Sequence, residues 1–75
     1  MNIENTLNYG IEILKANNIS NPYLDSEILL SQSINKDKKY IILNSKEILD
    51  RKQLETFNSF IERRKNGEPI AYLTN

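Results

Sequence analysis

Apolar residues in this chain recur at intervals of three and four, and alternation at intervals of two is hard to find. Ile3, Leu7, Ile11 and Leu14 are spaced four, four and three apart, which aligns them along one face of a helix. Leu54, Phe57, Phe60, Ile61 and Arg64 follow the same spacing near the other end. Helix breakers are few: Gly10, Gly67, Pro22 and Pro69 are the only glycines and prolines. No one helix can bury its apolar face alone, so these 75 residues are expected to form an all-α fold, a small bundle of about five short helices.

Start and stop signals divide the chain. The first helix should run from about Ile3 to Asn17, ending at Asn17-Asn18 because Asn tolerates left-handed backbone. Gly10 inside it costs about 1 kcal/mol relative to Ala. A notch for a partner or a close helix crossing would each account for it, and the crossing is preferred. The second helix opens with Asn21 as N-cap and Pro22 as first helical residue, carries an apolar face of Leu24, Ile28, Leu29 and Leu30, and ends near Ser33. Asp37 can cap a third, short helix over Lys38 to Leu43. Its Tyr40-Ile41-Ile42-Leu43 run also suits a buried strand, but no partner strand is visible. Asp50 and Gln53 make a capping-box start for a fourth helix, which Gly67 terminates. Pro69 can then begin one more turn through Ile70, Ala71, Tyr72 and Leu73.

The side chains available limit the chemistry. With no Cys and no His, disulfides, thiolate metal sites and the commonest general base are ruled out. No glycine-rich loop follows a strand, so no dinucleotide or S-adenosylmethionine cradle is expected within this chain. Ser20, Ser26, Ser31, Ser33, Ser45 and Ser59 have no histidine to activate them. Asp25 and Glu27 stand two apart and point in different directions on a helix. They are expected to be solvated or to cap the helix rather than act as an acid–base pair, and Glu62 with Glu68 likewise. No catalytic, cofactor or metal residue is assigned.

Ten basic and ten acidic side chains cancel. A neutral domain is a poor generic binder of phosphate backbones, which argues against a nucleic-acid partner. Two basic clusters remain, Lys36-Asp37-Lys38-Lys39 and Arg63-Arg64-Lys65. The first is expected to be a solvated loop. The second is expected to compensate the helix dipole and to pair with Glu62 or Glu68. The longest apolar run is far short of a membrane span, and the start lacks the basic, apolar pattern of a secretory signal. A cytoplasmic location without membrane partners is expected.

The stretch Glu62-Arg63-Arg64-Lys65-Asn66-Gly67-Glu68-Pro69-Ile70-Ala71-Tyr72-Leu73-Thr74 resembles the end of the N-terminal domain in the HemK/PrmC family of release-factor glutamine methyltransferases. The family pattern is two arginines, a short spacer, Gly-Glu-Pro-Ile-Ala, an aromatic or His, then Leu-Thr-Gly. Asn75 stands where the last Gly is usual, a reasonable substitute if left-handed backbone is needed. Asp25-Ser26-Glu27-Ile28-Leu29-Leu30 is similar to a second family block, Asp-Ala-Glu-Ile-Leu-Leu.

This resemblance implies that residues 1–75 are a single helical N-terminal domain, cut from a larger enzyme whose catalytic domain is absent here. It implies a full-length protein that uses S-adenosylmethionine to methylate the glutamine of the Gly-Gly-Gln motif in peptide-chain release factors, while this domain helps to recognise and position the release factor. A small helical nucleic-acid- or protein-binding module without enzymatic context is the alternative. Arg63, Arg64, Glu68, Pro69 and Tyr72 are the candidate contacts with the protein's own catalytic domain or a partner. An arginine–Glu68 pair and Pro69 would stiffen the turn, and Tyr72 is expected to pack under the bundle, with sealing a domain interface as its other role.

Overall fold

A computed structural model describes residues 1–74 and contains five helices among them, α1 (Ile3–Ala16), α2 (Pro22–Ile34), α3 (Lys38–Leu43), α4 (Arg51–Lys65) and α5 (Ile70–Leu73). The fold is all-α, as the periodicity predicts, and the Tyr40–Leu43 run is helical. The expectation for Asn75 lies outside the described residues. No helix among the described residues is long and apolar enough to cross a membrane.

The caps follow local chemistry. Asp37 accepts from the Tyr40 N–H at 2.9 Å. Asp50 and Gln53 form both bonds of a capping box, at 2.8 and 2.9 Å. Asn18 (φ 61°) turns the chain after α1, and Asn35 (φ 57°) does so after α2, one residue beyond the α2 end at Ile34. Asn21 precedes Pro22 as expected, but its side chain makes no capping bond.

The helices α1, α2 and α4 pack mutually, α3 rests on α2 and α5 on α4. Ile3, Leu14, Leu29, Leu30, Phe57 and Ile61 are essentially solvent-free at the centre. The buried stripe of α1 differs from the expected one: Thr6 and Gly10 lie on it, whereas Ile11 is only half-buried. On α2 the buried face carries Asp25, Ser26, Glu27, Leu29 and Leu30, and Leu24 is 51 % exposed. The register of α2 turns Tyr23 and Leu24 outward and brings Asp25, Ser26 and Glu27 onto the buried face.

Gly10 occupies the crossing of the three long helices. A Cβ there would overlap Ser26 Oγ, come within 2.6 Å of Phe57 Cζ and lie 3.0 Å from Ile61 Cδ1. Ser26 in turn donates to the Leu7 carbonyl at 3.0 Å, tying α2 to the turn of α1 below the crossing. The close-crossing reading of Gly10 therefore holds.

The connection from α3 to α4 docks against the start of α1. Helix N-termini carry backbone N–H groups with no partner inside the helix. Here Ile3 N–H donates to the Glu47 carbonyl and Glu4 N–H to the Ser45 carbonyl, both at 2.9 Å. Asn5 N–H donates to Asn2 Oδ1 at 2.7 Å. Leu49 N–H donates to the Met1 carbonyl at 3.0 Å, and an isolated antiparallel bridge joins Asn2 and Ile48. Leu49 is thereby held in the core. Tyr40 steadies the same loop by donating its hydroxyl to Glu47. That bond to a carboxylate raises the Tyr40 pKa above its usual 10.0.

Two outcomes are expected. Gly10→Ala gains about 1 kcal/mol of helix propensity, but overpacking among buried neighbours costs about 1–3 kcal/mol. The net result should be a lower melting temperature by circular dichroism, and a raised one would contradict the crossing. For Tyr40 the folded-state pKa is raised, so its stabilising contribution is complete below about pH 10 and fades as pH rises through the folded value. The stability difference between the protein and Tyr40→Phe in urea titrations should hold steady up to about pH 9 and shrink above about pH 10.

Candidate functional site

Three consecutive basic residues end α4, and the helix aims each at a different target. Lys65 pairs with Glu62 one turn back at 3.1 Å. Arg63 grips Glu68 with two donors, Nε to Oε1 at 3.2 Å and Nη2 to Oε2, the fork geometry that suits a guanidinium and a carboxylate. Arg64 turns inward. Its Nε donates to Asp25 Oδ2 at 2.9 Å in the first turn of α2, and its Nη1 donates to the Glu68 carbonyl at 3.3 Å. One side chain thus joins α2, α4 and the turn that follows.

The turn itself is built from backbone. Gly67 has φ 96°, in the left-handed region where a Cβ is costly. Its N–H donates to the Arg64 carbonyl at 2.9 Å, and the Glu68 N–H donates to the Arg63 carbonyl at 3.1 Å. These two bonds form a Schellman motif. Pro69 then stands as N-cap of α5 in extended backbone (φ −62°, ψ 145°). Backbone, ion pairs and Pro69 together fix the direction in which the chain leaves α4.

Arg63, Arg64, Glu68, Pro69 and Tyr72 therefore come together around one turn. Tyr72, however, does not pack under the bundle: it is 72 % exposed. The short helix α5 turns Leu73 into the core, with Ile70 packed against it, three residues apart on one face. Tyr72 lies about 100° round from Leu73 and projects to solvent, beside the exposed Pro69 and Ala71. The result is a rigid polar frame with an aromatic ring on its outer side.

The partner of Arg64 was not legible as a pair in the sequence. Asp25 is buried rather than solvated, although it does lie in the first turn of α2. The available signal was register: Asp25 precedes Leu29 by four and shares its buried stripe, so its charge needed a partner. Glu27 is also buried, at 4 % exposure, and faces Lys38 at 3.5 Å. The expectation of solvated carboxylates fails for both, because three neighbouring elements close over this part of α2. The first basic cluster is largely solvated as expected, though Lys36 lies 4.9 Å from the centre of the Tyr40 ring.

Helices are joined here without a strand, and the two glycines serve a helix crossing and a helix end. Among the described residues, no group of three or more carboxylates could hold a metal ion.

The model for the PrmC N-terminal domain matches residues 5–74. Relatives align over nearly the whole chain. A bifunctional methyltransferase of Rickettsia bellii is 38 % identical over 95 % of this chain and 13 % of its own length. A release factor glutamine methyltransferase of Aliivibrio fischeri is 33 % identical, over 97 % of this chain and 26 % of its own length. One from Buchnera aphidicola subsp. Baizongia pistaciae is 42 % identical over the same shares, 97 % and 26 %. The chain thus spans about a quarter or less of these relatives. No solved structure matches it. The two blocks that resemble the family pattern meet in space, through Arg64 and Asp25.

Removing Arg64 leaves a buried carboxylate unpaired, which costs about 3 kcal/mol at the lower end for such pairs. Arg63 and Glu68 are much more exposed, and pairs of that kind contribute about 0.2–1 kcal/mol. Urea denaturation should therefore rank Arg64→Ala well below Arg63→Ala in stability. Equal losses would mean that the Asp25 pair does not hold α4 to α2.

Proposed function

The chain belongs to the PrmC N-terminal domain family, and from that membership we propose that it is the non-catalytic N-terminal domain of a release-factor glutamine methyltransferase. In this reading the full-length protein uses S-adenosylmethionine to methylate the Gly-Gly-Gln glutamine of a release factor. The catalytic domain lies beyond these residues. This domain engages the release factor and helps to position its glutamine loop in the distant active site.

Family membership carries the methyltransferase reading, and the α4–α5 turn supports the positioning role. Arg63–Glu68, Arg64–Asp25, the Schellman bonds and Pro69 fix its direction, and Tyr72 stands exposed on its outer side. A free-standing bundle needs a helix stop there but not the two ion pairs that brace the turn beyond it. A bundle that must hold a fixed angle to a neighbouring domain needs both. The ring is the apolar contact, and the braced turn sets its position. Positioning matters because a misplacement of about 1 Å can cost on the order of a hundredfold in rate.

The test uses the full-length enzyme. Tyr72→Ala, and separately the pair Arg63→Ala with Glu68→Ala, should lower kcat/KM for an intact release factor roughly tenfold or more while the domain's melting temperature changes little. Calorimetry on residues 1–75 should give no heat with S-adenosylmethionine. Unchanged kcat/KM after removal of the whole domain, or tight cofactor binding by residues 1–75, would overturn the reading.

A further inference from the structure

Glu27 has no role in the α4–α5 turn, and its buried carboxylate is under-bonded. Its side chain is 5 % exposed. Among the described residues its one ion pair is with Lys38, whose ammonium lies 3.5 Å from Oε1, too long for a strong hydrogen bond; Glu4, paired with Lys46, lines the same groove. Oε2 is sealed from water and accepts no hydrogen bond. Buried carboxylates are ordinarily paired and fully hydrogen-bonded, because leaving one unsatisfied is costly. Lys38 is two-thirds exposed, so its ammonium can leave for solvent when another cation takes its place beside Glu27.

Glu27 lines a groove of about 220 Å³ together with Leu7, Tyr23, Ile41, Ile42 and Ser45. That volume is below the roughly 300–1,000 Å³ of small-molecule sites, and it suits one long side chain. The wall continues outward. Ile42 is 59 % exposed and also lines a shallower depression with Leu43, which is 70 % exposed. The floor is thus an under-bonded negative charge, and the rim sets the exposed Ile42 and Leu43 beside Asp37, Lys38 and Lys39.

We propose that this groove, between the start of α1 and α3, receives an arginine or lysine side chain from an extended segment of a partner protein. Glu27 is its counter-ion. A guanidinium entering beside Oε1, where Lys38 now stands, donates to that oxygen at hydrogen-bonding distance. The aliphatic stem of the guest lies along Leu7 and Ile41. Apolar residues flanking the cation cover Ile42 and Leu43. The charge complementarity selects a cationic side chain over a neutral one, and the apolar rim selects a protein segment over a free polyamine. The site is independent of the α4–α5 turn, so it stands or falls apart from the methyltransferase reading.

The experiment is an NMR titration of the 15N-labelled protein with acetyl-Ile-Arg-Leu-amide and with the same peptide carrying citrulline, a neutral isostere of arginine. The arginine peptide should shift the amides of Glu27, Ile41, Ile42 and Ser45 and saturate, with the citrulline peptide at least tenfold weaker. Glu27→Gln should abolish that preference while its melting temperature holds or rises, since an under-bonded buried charge is removed. Equal binding of the two peptides, shifts confined to other surfaces, or a marked fall in melting temperature in Glu27→Gln would each overturn the proposal. So would concentration-dependent self-association through the groove in sedimentation, which would make the occupant a second copy of this chain.

Discussion

The three long helices meet at Gly10, and the absence of a side chain there sets how closely they approach. Ser26 Oγ, Phe57 and Ile61 occupy the space that a Cβ would take. Because α2 and α4 both lean on this point, their registers are fixed relative to α1 and hence to each other. Close packing in a domain this small has little slack: a neighbour displaced by one methyl group has no second core to move into. The Ser26–Leu7 bond and the buried Leu29, Leu30 and Leu14 around the crossing all depend on that approach.

With α2 and α4 so placed, the Asp25 and Arg64 side chains come within hydrogen-bonding distance. A single guanidinium then reaches both α2 and the carbonyl of Glu68. The buried pair costs desolvation, but it specifies one arrangement of helix, turn and α5. Arg63 and Glu68 add a weaker brace outside it. The division of labour between adjacent arginines follows from helix geometry, since neighbours along a helix point about 100° apart. The net neutrality of the chain hides this pattern. The charges cancel overall, yet two carboxylates of α2 are inside the fold with cations brought to them from α3 and α4.

The candidate site was legible in part. The Arg63 to Thr74 block stood out by its order of residues, and the pairing of an arginine with Glu68 followed from their closeness in the chain. Tyr72 was misjudged. In a four-residue helix only one face reaches the core, and Leu73 with Ile70 takes it, which leaves the ring outside. Glu27, expected to be solvated or helix-capping, is buried for a related reason: its surroundings come from α1 and α3, outside its own helix.

What the sequence determined by itself is whatever depends on neighbours a few residues away. The caps at Asp37 and Asp50 and the left-handed ends at Asn18 and Gly67 are set within a turn or two, where side chain and backbone compete for the same hydrogen bonds. Tertiary structure decided which face of each helix was buried, and with it the fate of the charges. Thr6 and Gly10 in place of Ile11, Asp25 and Glu27 in place of Leu24, and the loop from Ser45 to Leu49 satisfying the first N–H groups of α1 are all of this kind. Burial is a property of what packs across a helix from elsewhere in the chain. Where the register of a helix turns polar residues inward, only the neighbours brought in by folding determine what those groups meet there.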